Sequence, residues 1–406
     1  MRPVRGIRLG RVAGIEVAVD WSLLIIFWLI FSTLAWGVFP SWHPDWSVPL
    51  IAVTALAAAV LFFASVLVHE LSHALVGRLN GIAFHRITLF MFGGIAHMEG
   101  EPPSWRAELA MAIVGPLTSL AIGVTCIALV NLLSGPFDVD LENPRLALAA
   151  LGPVSTLLAW LGPVNVIIGL FNLIPGFPMD GGRVLRAIIW AVSGDLRVAT
   201  HLASLAGQAF AWLLIATGLL MVFGFRVPYL GGGLLSGLWL MLIGWFLHSA
   251  AVTSYRQLLM RQLLGHVPVA KLMQTRFTPI GPQMPISTLV DEHLMASGQR
   301  VFPVVEDARL LGLVSLADLR KRPREAWART PVAEIMTPAG SLVSISPRHE
   351  VLDALALLGA RNLNQLPVVE DGRLLGLVRR EDILKWMAIH AESTALRTDD
   401  RDRMQP

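Results

Sequence analysis

Residues 51–76 read IAVTALAAAVLFFASVLVHELSHALV, an apolar run long enough to cross a bilayer as one helix. Inside it sits His69-Glu70-Leu71-Ser72-His73. On a helix, positions i and i+4 share a face, so His69 and His73 can both reach one metal ion. Glu70 is the adjacent carboxylate, placed to take a proton from water at such a centre. Ionisable side chains are costly in hydrocarbon and, where they occur, mark function. A zinc-hydrolase pattern within an apolar helix predicts proteolysis inside the membrane.

The rest of the chain extends the membrane reading. Of its 406 residues 54% are hydrophobic, and the mean hydropathy is +0.62. That is too apolar for a soluble globular protein. The apolar excess ends near residue 255, and an ordinary soluble mix follows from about residue 265. Two parts are therefore expected, a membrane domain and a soluble C-terminal domain. The net charge of +3 is small and the arginines flank apolar runs, so no nucleic-acid partner is expected. The one cysteine, Cys126, excludes a disulfide within the chain and a cysteine zinc cage. It reads as a small hydrophobe in a packed helix.

Hydrophobic spans are expected at roughly 18–39, 48–77, 105–133, 152–178, 202–223 and 231–253. The first is read as an uncleaved helix rather than a signal peptide, because the run is long and no clear small-residue cleavage site follows. Arg2, Arg5, Arg8 and Arg11 precede it. Arg78, Arg86 and Arg106 lie between spans two and three, and Arg183, Arg186 and Arg197 between spans four and five. Arg256 and Arg261 follow span six, while the other connections hold only Arg145 and Arg226. The positive-inside rule then puts both termini in the cytoplasm of a multi-pass protein of the cell (plasma or inner) membrane. The loop around 134–150 faces the other side.

The segment 84–100, FHRITLFMFGGIAHMEG, is too short to span twice as helices. β-favouring residues on both sides of Gly93-Gly94 predict a hairpin with a glycine turn that dips into the membrane. His85, His97 and Glu99 flank it and read as interfacial polar residues. Backbone of this kind survives at membrane depth only under a cover of protein or beside a water-filled cavity.

The soluble part repeats itself. Pro268-Val-Ala-Lys-Leu-Met273 recurs as Pro331-Val-Ala-Glu-Ile-Met336, and Phe302-Pro-Val-Val-Glu-Asp307 as Leu366-Pro-Val-Val-Glu-Asp371. Strands are expected at 301–305, 310–314, 365–369 and 374–378, alternating with helical patterns, so two similar α/β units pack as a pair. The charged tail after about 392 reads as disordered.

Zinc needs a third protein ligand and an open position. The candidate is Asp180, in Asn172-Leu-Ile-Pro-Gly-Phe-Pro-Met-Asp180-Gly181-Gly182 at the end of span four. Spans two and four run the same way in this topology, so Asp180 and His73 fall at similar depth. Pro175, Gly176 and Pro178 break the helix there, and the two glycines let backbone approach closely.

HELSH, followed in a later span by NLIPGFPMDGG, resembles the site-2 protease family of intramembrane zinc metalloproteases. The resemblance covers the whole membrane domain. It includes Gly115-Pro116 in span three, where the family motif usually continues with an asparagine or small polar residue; Thr118 and Ser119 are the polar positions here. Six spans followed by a pair of CBS modules are similar to a prokaryotic branch of that family. The resemblance implies one zinc per chain on His69, His73 and Asp180, with Glu70 as general base. It implies that Asn172 steadies the scissile carbonyl or its oxyanion. A helix hides its scissile carbonyls, so the substrate must unwind, and a strand edge at Gly93 and Gly94 would hold it extended.

The expected fold is an α-helical polytopic membrane domain, six transmembrane helices with a membrane-associated β-hairpin, plus an α/β CBS-pair domain. The expected boundaries are 1–255 for the protease domain, 256–264 for a linker, 265–325 and 326–392 for the two CBS motifs, and 393–406 for the tail. CBS pairs often bind adenine nucleotides through a Ser/Thr-x-x-Asp stretch after the last strand. The first copy has Ser315-Leu-Ala-Asp318 and the second has Arg379-Arg-Glu-Asp382, with arginine in place of the hydroxyl. ATP, ADP or AMP is the candidate ligand on Ser315, Asp318 and Asp382, and a homodimer through the pair is the alternative use. The expected substrate is a membrane-anchored or membrane-associated protein within the lipid bilayer. A CBS-regulated transporter or channel is the competing reading, but transport does not call for Glu70 beside two metal-spaced histidines. An inactive relative would not need His69, Glu70, His73 and Asp180 together.

Overall fold

The computed structural model describes residues 6–390 except 92, 99–100, 136–143, 229–230, 296–298 and 308. The expected tail and position Glu99 lie outside the described residues. The chain divides into two compact units, with the break between Leu258 and Leu259.

The first unit opens with a hairpin, β1 (Gly6–Val12) and β2 (Ile15–Asp20). Ala13 and Gly14 both take positive φ, the geometry of a two-residue hairpin turn. The arginines of β1 had pointed only to a membrane flank, so this hairpin corrects the sequence reading. Span one accordingly begins later than expected. It runs as α1 (Ser22–Thr33), a π-helical turn and α2 (Phe39–Trp42), together Ser22–Trp42.

Next come α3 (Val48–Leu79), β3 (Phe84–Phe90), β4 (Gly93–Met98) and α4 (Trp105–Ser134). β2 pairs parallel with β3 and β3 antiparallel with β4, giving one four-stranded sheet in the order β1-β2-β3-β4. Ile15, Ile87 and Leu89 from this sheet bury against Ala74 of α3 and Met111 of α4. Arg78, in the last turn of α3, donates to the carbonyls of Ala13, Gly14 and Phe84, tying the sheet to that helix. The glycines are not the turn that the sequence suggested. Gly93 pairs with Phe90 and Gly94 with Leu89, inside the ladder.

α5 (Pro144–Ala149) is a short helix in the connection expected as a loop, and α6 (Pro153–Asn172) is the fourth span. α6 ends earlier than expected because residues 173–179 form turns around Pro175 and Pro178. A separate amphipathic helix, α7 (Asp180–Ser193), starts at Asp180 itself. Then α8 (Leu196–Val222) and α9 (Leu234–Leu264) complete, among the described residues, six helices long and apolar enough to cross a membrane. Residues 256–264, expected as a linker, are the last turns of α9, and Leu264 is buried in the core of the second unit.

The second unit holds β5 (Val301–Glu306), β6 (Arg309–Ser315), a short β7 (Thr337–Pro338), β8 (Gln365–Glu370) and β9 (Arg373–Arg379). β5 pairs with β6 and β8 with β9 in equivalent registers, as the repeat requires, and the sheet order is β5-β6-β9-β8. The opening segments are exchanged. Val269 and Leu272 bury in the core of the second repeat, while Val332 and Ile335 bury in that of the first. Neither repeat closes its core without the other.

Candidate metal centre

His69 and His73 project from one face of α3 and are both buried. Their Nε2 atoms lie 3.2 Å apart, and each is 3.1 Å from Oδ2 of Asp180. The three ligand atoms lie within 4.8 Å of one another. Two imidazole nitrogens and one carboxylate oxygen converging on a single point make the donor set that a catalytic zinc takes, with a fourth position left open.

The far side of each ring supports that use. Nδ1 of His73 donates to the Met111 carbonyl at 2.6 Å. A carbonyl only accepts, so Nδ1 carries a proton, and it is the lone pair of Nε2 that the neutral ring would offer to a metal. Nδ1 of His69 meets Ser119 Oγ at 2.9 Å. Both partners belong to α4, and the sequence reading had missed both roles. Met111 acts through its backbone, which no motif displays. Ser119 had been noted only as a polar position in the glycine-proline motif, although a hydroxyl in an apolar helix was itself the signal.

Gly115 of α4 faces the rings. A Cβ placed there would stand 2.1 Å from His73 Nε2 and 2.8 Å from His69 Nε2. Glu70, one residue along α3, faces the sheet instead. A Cβ at Gly94 would stand 2.3 Å from its Cγ, so the β4 backbone lies directly on the Glu70 side chain. This is why a glycine sits within the ladder rather than at its turn. Gly93 has φ +128, a conformation that other residues avoid. Asn172 is half-buried at the end of α6, one loop before Asp180.

In the other unit, Asp318 accepts from both the backbone N–H and the Oγ of Ser315, at 2.8 and 2.7 Å, and pairs with Lys321 at 2.6 Å. Burial works to raise its carboxyl pKa, but Lys321 and Ser315 outweigh it and hold the group below the ordinary value. Asp382 accepts from Nε and Nη2 of Arg379, at 2.8 and 2.9 Å. Among the described residues no hydrogen bond or ion pair joins Asp318 to Asp382.

Comparison with known proteins gives a consistent picture. The profile of Peptidase family M50 matches residues 57–215, and that of the CBS domain matches residues 269–325 and 332–389. The zinc metalloprotease named Rip3 of Mycobacterium tuberculosis is 32% identical, over 95% of this chain and 93% of its own. A zinc metalloprotease of Synechocystis is 31% identical, over 95% of this chain and 96% of its own. The solved site-2 protease of Methanocaldococcus jannaschii is 28% identical over 62% of this chain and 95% of that one, with a TM-score of 0.38.

Proposed function

The chain belongs to peptidase family M50, the site-2 protease family of intramembrane zinc metalloproteases, and from that premise we propose that His69, His73 and Asp180 hold its zinc, one ion per chain. The observation that carries this is the convergence of two Nε2 atoms and Asp180 Oδ2, with both Nδ1 atoms engaged on α4. Bound zinc supplies Lewis acidity and brings the pKa of water to about 7. Glu70 takes a proton from the attacking water and returns it to the leaving amide nitrogen. The Asn172 amide donates to the oxyanion as it develops. Metal analysis of the purified, folded protein tests the reading: one zinc per chain supports it, and a folded protein without affinity for zinc overturns it.

We further propose that the substrate is a membrane-anchored or membrane-associated protein, such as a regulator released to signal. It would add as a strand to the free edge of β4. That edge is the last in its sheet, and Gly94 sets its backbone against Glu70. Strand addition re-pairs the backbone groups that unwinding frees. A proline removes a ladder donor, so Ile95→Pro is expected to slow cleavage at least tenfold while zinc content stays at parent level. Unchanged cleavage would remove β4 from substrate binding. The arginine asymmetry supports cytoplasmic termini; cysteine labelling from outside near residue 190 would reverse that topology.

An adenine nucleotide on Ser315 and Asp318 is the ligand that we propose for the CBS pair. The Arg379 clasp occupies Asp382, so one working half-site is expected. Coupling between sites typically amounts to about 1–3 kcal/mol, so nucleotide should change the cleavage rate several-fold. Calorimetry on the full chain with ATP, ADP and AMP reads the binding. Silence at millimolar nucleotide would reduce the pair to a structural or dimerising module.

A further inference from the structure

α4 carries none of the three proposed ligands, yet it contacts both histidines and, through a buried ion pair, the helix that begins at Asp180. Met111 and Ser119 hold the two histidines, as described. The third contact is a buried ion pair. Glu108, one turn before Met111, is 0% exposed, and Arg186 on α7 is 5% exposed. Arg186 Nε donates to Glu108 Oε1 at 2.6 Å, and Arg186 Nη2 pairs with the same carboxylate. The guanidinium also lies over the Phe177 ring, 5.5 Å from its centroid, and 3.5 Å from Glu101. Phe177 belongs to the turn segment that leads into Asp180, and its backbone N–H donates to Ala203 of α8 at 3.2 Å. Arg186 thus ties α7 both to α4 and to the turn segment before Asp180.

We propose that Glu108 and Arg186 are positioning residues that fix the rotation of α7 and so aim the Asp180 carboxylate at the two histidines. This rests on the proposed zinc set. Stability alone is a poor reason for the pair. Buried ion pairs can often be replaced by apolar residues without loss, because desolvation offsets most of their attraction. Glu108 Oε2 even lacks a partner among the described residues. What an ion pair with fixed geometry supplies is one orientation. Asp180 is the first residue of α7, six residues from Arg186, or about 9 Å along the axis. A rotation of about 20° would carry a side-chain tip about 2 Å at a helix radius of about 5–6 Å. Metal–ligand distances tolerate only about 0.2 Å.

The test compares full-length parent, Glu108→Gln/Arg186→Met, Arg186→Lys and Asp180→Ala in one lipid environment. Thermal midpoint, zinc dissociation constant by chelator competition, and kcat and KM are read for each. The double variant removes both charges of the pair, so neither of these two is left buried alone. We expect its fold to persist, its zinc affinity to fall about 10–100-fold, and kcat to fall with KM little changed. Arg186→Lys keeps the charge but loses the two-pronged geometry, and should lie between. A folded double variant with parent zinc affinity and kcat would overturn the proposal. Should the double variant not fold, parent zinc affinity in Arg186→Lys would overturn it equally. Asp180→Ala separates the two layers. Full zinc affinity in that variant would sink the ligand assignment, whereas lost affinity beside a parent-like double variant would sink only the positioning role.

Discussion

Glu70→Gln is expected to abolish measurable hydrolysis while leaving one zinc bound. The substitution keeps the shape of the side chain and removes its ability to carry a proton. General-base transfer of this kind contributes about 10²–10⁴-fold to a rate. The metal should survive because Glu70 stands apart from the converging donor atoms and rests against Gly94. Gln is close in volume to Glu, so β4 need not move. Metal content, thermal midpoint and cleavage of a membrane-anchored reporter are measured together. Turnover near that of the parent would rule Glu70 out as the base. Loss of zinc would make it a ligand instead. The same variant, placed in cells, should accumulate uncleaved substrates that membrane proteomics can identify.

Gly115→Ala carries the second large effect, from a single methyl group. The added carbon would stand 2.1 Å from Nε2 and 2.5 Å from Cε1 of His73. No carbon sits that close to a ring, so either the imidazole swings away or α4 retreats. Both movements displace donor atoms by something like an ångström. Misplacement on that scale typically costs about 10²-fold in rate, and zinc occupancy should fall with it. The backbone gives no competing explanation, since alanine is the better helix former by about 1 kcal/mol. The test is therefore zinc occupancy and rate in folded variant protein, both of which should fall. Parent-like occupancy and rate would mean that the rings do not rest on α4 at this point.

Much of the centre was legible because it depends on short-range periodicity. His69 and His73 are one helical turn apart, and an apolar run around charged residues needs an explanation of its own. Asp180 was legible through the prolines and glycines before it. Its place at the start of a separate helix was not, because a break in a helical pattern does not say where the next helix begins. β1 and β2 were hidden by Arg8 and Arg11, whose charge suggested a membrane flank more strongly than the alternation around Ala13-Gly14 suggested strands. Glu108 and Arg186 lie 78 positions apart, and no local pattern links such a pair. The repeat disclosed the strands of the second unit, since each copy must satisfy the same ladder. The exchange of the opening segments was not disclosed, because both arrangements bury the same apolar residues.

The sheet beside α3 has two outer strands, and their difference decides how this protein behaves in a crowded membrane. A free edge recruits any extended chain, including another copy of itself. At β1 the register slips between Arg8 and Gly10, and Arg8 and Arg11 line the strand. A kinked, cationic edge rejects a flat partner. At β4 no irregularity interrupts the run from Gly93 to His97. One border of the sheet thus carries features that resist self-association, and the other, among the described residues from Gly93 to His97, keeps a regular ladder. Smoothing β1 would let neighbouring molecules zip together through their sheets, and the first sign of it would be clustering of the protein in the membrane rather than any change at the zinc.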